Sequence, residues 1–148
     1  GGGTSLSEVR LKVRHLGLSD RVHFVPWVQD VREVYAAIDC LAIPSMAEGM
    51  PITALEAMAY GIPVFARSVG GLSKLLGPNW ERGGWTTGDG ADDFGMGLDF
   101  FLRNGKEYFA KLTSSARDYV KQNHDSGVMA ADTARLYRYL LEAKRCRR

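Results

Sequence analysis

Apolar positions along the first half of this chain switch repeatedly between helical spacing and short unbroken runs. Leu6, Val9, Val13 and Leu16 recur at helical spacing behind Ser5 and Glu8, a capping-box pair, until Gly17 stops the run. "RVHFV", residues 21–25, reads as a short strand ending at Pro26. Asp30 and Glu33 repeat the capping pattern ahead of a helix through Val31, Val34, Tyr35 and Ile38. "CLAI" (40–43) is stopped by Pro44, and "PVFA" (63–66) is a similar run; both suit strands covered on two faces rather than one. Between them "PITALEAMAY" (51–60) is helical, with Pro51 suited to the first turn and Gly61 to the C-terminal cap. A short helix around "GLSKLL" (71–76) leads to a weak strand, "GWT" (84–86). From Ala91 the pattern is helical to the end, in segments "DDFGMGLDFFLRNG" (92–105), "KEYFAKLTSSARDYVKQN" (106–123) and "GVMAADTARLYRYLLEAKR" (127–145), and Gly95 and Gly97, at roughly 1 kcal/mol each against Ala, predict a short or irregular first segment.

Strands that alternate with helices pair in parallel through right-handed crossovers. The predicted fold is therefore α/β: a Rossmann-like open parallel sheet with helices on both faces, followed by an all-helical C-terminal end. The opening "GGGT" has the character of a turn that follows a strand, so one or more strands are expected upstream of it. At 148 residues and 45% apolar composition the chain suits a single domain with its own core.

Composition removes several function classes. No apolar run approaches the roughly 20 residues of a membrane span, and the N-terminus lacks a signal-peptide core, so a cytoplasmic location is expected. Cys40 and Cys146 have no metal-ligand spacing and read as reduced thiols. Of 19 cations, Lys144, Arg145, Arg147 and Arg148 sit in the tail, leaving a body that is not basic; no nucleic-acid partner is expected, and the tail reads as a solvated helix end.

The candidate chemistry lies in "PSMAEGMPITALEAMAYGIPV", residues 44–64. Ligands of open parallel sheets bind beyond the carboxyl ends of the strands, and "SMAEGM" is the loop leaving "CLAI". That predicts Glu48 in the crevice, with the free amides of Ile52, Thr53 and Ala54 and the positive end of the helix dipole aimed at the same place. Gly49 allows close backbone approach, and Glu56, one turn in, tilts back toward the helix start. A nucleotide sugar has matching parts: sugar hydroxyls for Glu48, diphosphate for the helix start, ribose hydroxyls for Glu56.

With these residues in place, the chain resembles the C-terminal, donor-binding lobe of the retaining GT-B glycosyltransferases, in the large family four that transfers sugars from nucleotide donors. "VYAAIDCLAIPSMAEGMPITALEAMAYGIPVFARSVGGLSKLL" follows that family from end to end, and "RLKVRHLGLSDRVHFVPWV" resembles the segment before it. The resemblance implies Glu48 as the catalytic carboxylate beside the donor sugar, and backbone contacts from Gly49, Met50, Pro51 and Ile52. It implies Glu56 on the ribose and Trp27 and Val28 in the nucleobase loop. It also implies transfer with retention by front-face displacement, with Glu48 orienting and stabilising charge. The partners implied are a nucleotide sugar, an unidentified acceptor and an N-terminal acceptor lobe. Membrane contact belongs only to a full-length protein, peripherally. No metal or other cofactor is expected. The family's Arg and Lys that neutralise the diphosphate precede the "GGGT" turn and fall outside this sequence, so this chain by itself is expected to be inactive. The segment "GPNWERGGWTTGDGADDFG" is more glycine-rich than the family pattern, and no site is placed there.

Other readings of the same residues stand beside these. Thr53 and Glu56 fit a capping box, Glu48 an exposed loop acid, and Trp27 a packing residue. Gly61, Gly70 and Gly71 read as turn residues, Met46, Met50 and Met58 as packing, and His15, His23 and His124 as structural. For the whole molecule the alternatives are a non-catalytic interaction or dimerisation module, using the sheet edge and C-terminal helix, and a nucleotide-sugar epimerase lobe.

Overall fold

In the computed structural model residues 3–77, 81–87 and 91–145 are described, and the chain divides into two units, Gly1–Val34 and Tyr35–Arg148. Cys146, Arg147 and Arg148 of the basic tail lie outside the described residues, as do parts of the glycine-rich segment.

The first unit carries helix α1 (Leu6–His15). Its end is as predicted. Gly17 takes φ 66°, its amide donates to the Arg14 carbonyl, and the Leu18 amide reaches back to Val13, both at 3.0 Å. The capping box does not form. Ser5 has φ −85° and ψ 2°, not the extended backbone that would aim its hydroxyl at the first-turn amides, and it makes no side-chain cap hydrogen bond. The strand predicted over 21–25 is also absent. The Leu18 carbonyl accepts from both Arg21 and Val22 at 3.0 Å, so a turn consumes the beginning of that run, and Pro26 removes a donor at its other end. Residues 22–28 have no regular secondary structure.

Helix α2 (Val31–Ala37) spans the boundary between the units. Asp30 caps it as predicted: Oδ1 accepts from the Arg32 amide at 3.0 Å, and the Arg32 guanidinium pairs with the same carboxylate at 2.7 Å. The Arg32 contacts hold the Asp30 carboxyl below its ordinary range.

The second unit contains the sheet. Strands β1 (Leu41–Ile43), β2 (Val64–Arg67) and β3 (Gly84–Thr87) run parallel in that order, with Leu41 opposite Val64 and Val64 opposite Gly84. Helix α3 (Ile52–Ala59) joins β1 to β2 and α4 (Leu72–Leu76) lies between β2 and β3. β2 is buried on both faces, which explains its unbroken apolar run. Val64 and Ala66 belong to a cluster with Ala54, Ala57 and Met58 of α3 and Leu72, Leu75 and Leu76 of α4; Phe65 points the other way, against Phe101 and Phe109. Helices therefore cover both faces, as predicted.

The helical end is α5 (Ala91–Asn123) and α6 (Ser126–Arg145). The break in α5 falls at Gly105, with φ 73° and ψ 175°, where the first predicted segment ends, while Gly95 and Gly97 remain helical. A helical glycine costs only about 1 kcal/mol, which the surrounding Phe94, Phe100 and Phe101 contacts offset, whereas Gly105 adopts a backbone closed to other residues. Past the break α5 holds α3 from the side. Ala116 packs among the alanines of α3, and the Arg117 guanidinium donates to the last carbonyls of that helix, Ala59 at 3.1 Å and Tyr60 at 3.0 Å. α6 leaves Met129, Leu136, Tyr137, Tyr139, Leu140 and Leu141 exposed. No helix of the described residues is long and apolar enough to cross a membrane.

Phe65 of β2 is buried against the Phe101 and Phe109 rings, so Phe65→Ala is expected to destabilise the protein by about 3–5 kcal/mol, read from urea unfolding. A loss under about 1 kcal/mol would contradict this packing.

Candidate functional site

The loops that leave β1 and β2 emerge side by side at the carboxyl ends of adjacent parallel strands, and they meet backbone to backbone. The Gly71 amide donates to the Gly49 carbonyl at 2.7 Å. A Cβ on Gly70 would stand 1.6 Å from the Glu48 carbonyl oxygen, and one on Gly71 would stand 2.5 Å from that of Gly49. Gly70 also has φ 53°, so any side chain there is excluded twice. These glycines are turn residues, as predicted, and they are also the support on which Glu48 is carried.

Glu48 itself is half-buried, and its carboxylate has no hydrogen-bond or ion-pair partner among the described residues. At Gly49 a Cβ would meet open space, so the room beside this backbone is real. Pro51 stands at the N-cap of α3, with φ −69° and ψ 123°, one residue earlier than the first turn. The Ala54 amide donates to the Pro51 carbonyl at 3.1 Å and is therefore not free. The amides of Ile52 and Thr53 keep no acceptor among the described residues, leaving two donors at the positive end of the helix.

Glu56 lies one turn along α3, half-buried. No capping box forms, because Thr53 is already inside the helix and the Glu56 carboxylate is engaged elsewhere: Oε2 accepts from the Tyr35 hydroxyl at 2.8 Å. Oε1 has no hydrogen-bond partner among the described residues. Tyr35, 7% exposed, stacks on Tyr60 with ring centroids 5.3 Å apart, and its hydroxyl is 3.4 Å from the Thr53 carbonyl. Burial first, and then the Glu56 carboxylate, push the Tyr35 phenol above its ordinary value, so it remains a donor.

Glu48, Gly49, Met50, Pro51, Ile52, Thr53 and Glu56 thus occupy one loop and one helix start in the second unit. Trp27 and Val28 belong to the first unit; Trp27 is 82% exposed there and Val28 half-buried. Of the methionines read as packing, Met58 is buried on the inner face of α3, but Met46 and Met50 stand exposed on the loop, where no helix face directs them inward. Among the described residues no group of three or more His, Cys, Asp or Glu is placed to hold a metal ion. Burial, with Asp39 nearby, raises the Cys40 thiol.

Two features of the site leave little mark in the sequence. Tyr35 reads only as an apolar helix position, although a buried tyrosine usually finds a hydroxyl partner, and that was the available signal. The bracing role of Gly70 and Gly71 depends on a loop some twenty residues earlier and leaves no local mark.

Gly70→Ala is expected to lower stability by about 2–4 kcal/mol through backbone strain and displacement of the Glu48 carbonyl, while Gly49→Ala changes it by less than about 1 kcal/mol. Thermal unfolding of the two variants side by side checks this; equal effects would contradict the brace.

The family described as glycosyl transferases group 1 matches residues 1–123. An uncharacterized glycosyltransferase of Methanocaldococcus jannaschii is 30% identical over 131 residues, 86% of this chain and 33% of that protein. A sucrose-phosphate synthase of Thermosynechococcus elongatus superposes with a TM-score of 0.85 at 28% identity, over 95% of this chain and 35% of the other. The HepE protein of Anabaena, in complex with UDP, superposes with a TM-score of 0.81 at 25% identity, over 90% of this chain and 36% of its own. The chain spans about a third of the length of these proteins. With the family match covering most of its residues, this chain belongs to the glycosyl transferases group 1 family and has the fold of the C-terminal lobe of GT-B glycosyltransferases.

Proposed function

We propose that the second unit is the donor side of a retaining glycosyltransferase, and that the whole chain is one nucleotide-sugar-binding domain whose acceptor is held by a further, N-terminal lobe. The observation that carries this is the unsatisfied set at the start of α3: two free amides, an unpaired Glu48 carboxylate just before them and a free Oε1 of Glu56 just after. Free donors at a helix start favour an anion, and free carboxylate oxygens favour hydroxyls. A nucleoside diphosphate sugar presents both, in the order sugar, diphosphate, ribose. That the HepE protein of Anabaena binds UDP supports the choice of ligand class.

In this reading Gly49, Met50, Pro51 and Ile52 line the sugar and phosphates through backbone groups, the Thr53 amide joins them, and Glu56 takes the ribose hydroxyls. During transfer the bond from the anomeric carbon to the diphosphate breaks and its electron pair leaves with the diphosphate, while the acceptor hydroxyl oxygen bonds to the same face of the sugar and its proton passes to the departing diphosphate oxygen. Positive charge builds on the sugar ring, and Glu48 stabilises it without bonding to it. The reading needs no metal, because the diphosphate meets amides and a helix dipole; a full-length protein would act in the cytoplasm, peripherally at a membrane where its acceptor is lipid-borne.

Titration calorimetry with uridine, guanosine and adenosine diphosphates is expected to give saturable heat with at least one of them. That heat should survive a chelator, and Glu56→Ala should weaken the affinity roughly tenfold or more. Absence of heat with all three nucleotides would overturn the reading.

A further inference from the structure

We propose that Tyr35 is a positioning residue for nucleotide binding: its hydroxyl fixes Oε2 of Glu56 so that Oε1 is presented to the paired hydroxyls of a ribose. This rests on the reading of Glu56 as the ribose ligand given above.

A glutamate on the side of a helix has three rotatable bonds, and ordering it on a ligand costs conformational entropy. Glu56 is already ordered. The Tyr35 hydroxyl has one proton and two acceptors within reach, and the nearer is Glu56 Oε2 at 2.8 Å, against 3.4 Å for the Thr53 carbonyl. Tyr35 is itself immobile, buried in the main core cluster and stacked on Tyr60 at the other end of α3. The anchor therefore runs from the core to one carboxylate oxygen. Each carboxylate oxygen accepts about two hydrogen bonds, so the capacity left after Tyr35 is two at Oε1 and one at Oε2, enough for two neighbouring hydroxyls. The phenol's raised titration keeps the proton in place beside the anion. A hydrogen bond made only for stability would have no bearing on which sugar is bound, and that difference can be measured.

The readout is the affinity ratio between a ribonucleoside diphosphate and its 2′-deoxy counterpart, run for the uridine, guanosine and adenosine pairs. The original protein is expected to favour the ribose form roughly tenfold in whichever pair binds. Tyr35→Phe, which keeps the ring and its stack, is expected to cut that preference to roughly threefold or less. Glu56→Gln should do the same, and adding Tyr35→Phe to Glu56→Gln should change the ratio no further. Both nucleotides draw on the same folded population, so the ratio is insensitive to partial loss of fold, and Tyr35→Leu is a second hydroxyl-free variant with the same expectation. If Glu56→Gln abolishes the preference while both Tyr35 variants retain it, the positioning role is wrong and the ribose reading stands. If the original protein shows no preference, or Glu56→Gln leaves it intact, the ribose reading fails and the role of Tyr35 fails with it.

Discussion

The hydrogen bond from the Gly71 amide to the Gly49 carbonyl, with Gly70 pressed on the Glu48 carbonyl, joins two loops that a parallel sheet merely places side by side. Loops at strand ends are ordinarily the softest part of such a fold. Here no side chain intervenes between the two backbones, so the loop after β1 cannot move without the turn that begins α4. That turn is tied down in its own right: Ser68 and Ser73 hydroxyls lie 2.7 Å apart, and α4 buries Leu72, Leu75 and Leu76 in the core. The position of Glu48 is thereby referred to the sheet rather than to a free loop. Placement to within about an ångström is what transfer chemistry demands.

The same logic continues along α3, which is restrained at each end by a different neighbour. At its start the loop brace sets Pro51 and the two unsatisfied amides; at its end Arg117 of α5 takes the Ala59 and Tyr60 carbonyls, and Gly61 at φ 72° turns the chain into β2. Ala54 and Ala57 of α3 and Ala116 of α5 are fully buried in the same core cluster. Glu56, halfway along, inherits that rigidity and gains more from Tyr35. An eight-residue helix would be marginal alone, and its stability here comes almost wholly from these contacts.

Much of this was legible because proline and glycine act locally. Pro44, Pro51, Gly61 and Pro63 bound β1, α3 and β2 so closely that their predicted limits fall within about one residue of the observed ones. The carboxylates at 48 and 56 could be placed for the same reason, from a strand exit and a helix start. What could not be read depends on distance. The 21–25 run has strand composition, yet the Leu18 carbonyl captures the Arg21 and Val22 amides in a turn. In α5 the break at Gly105 coincides with the end of the first predicted segment, whereas Gly95 and Gly97 stay helical, which their cost against Ala does not report. The Tyr35 hydroxyl finds its partner 21 residues away, and no periodicity reports that.

The braced loop and the start of α3 are proposed to form one cradle for an activated sugar. A crystal structure of the protein with a bound uridine, guanosine or adenosine diphosphate tests it most directly. Phosphate oxygens are expected within hydrogen-bond distance of the Ile52 or Thr53 amide, and ribose hydroxyls on Glu56 Oε1 with Tyr35 still bonded to Oε2. A diphosphate bound away from the start of α3, or a ribose out of reach of Glu56, would contradict it.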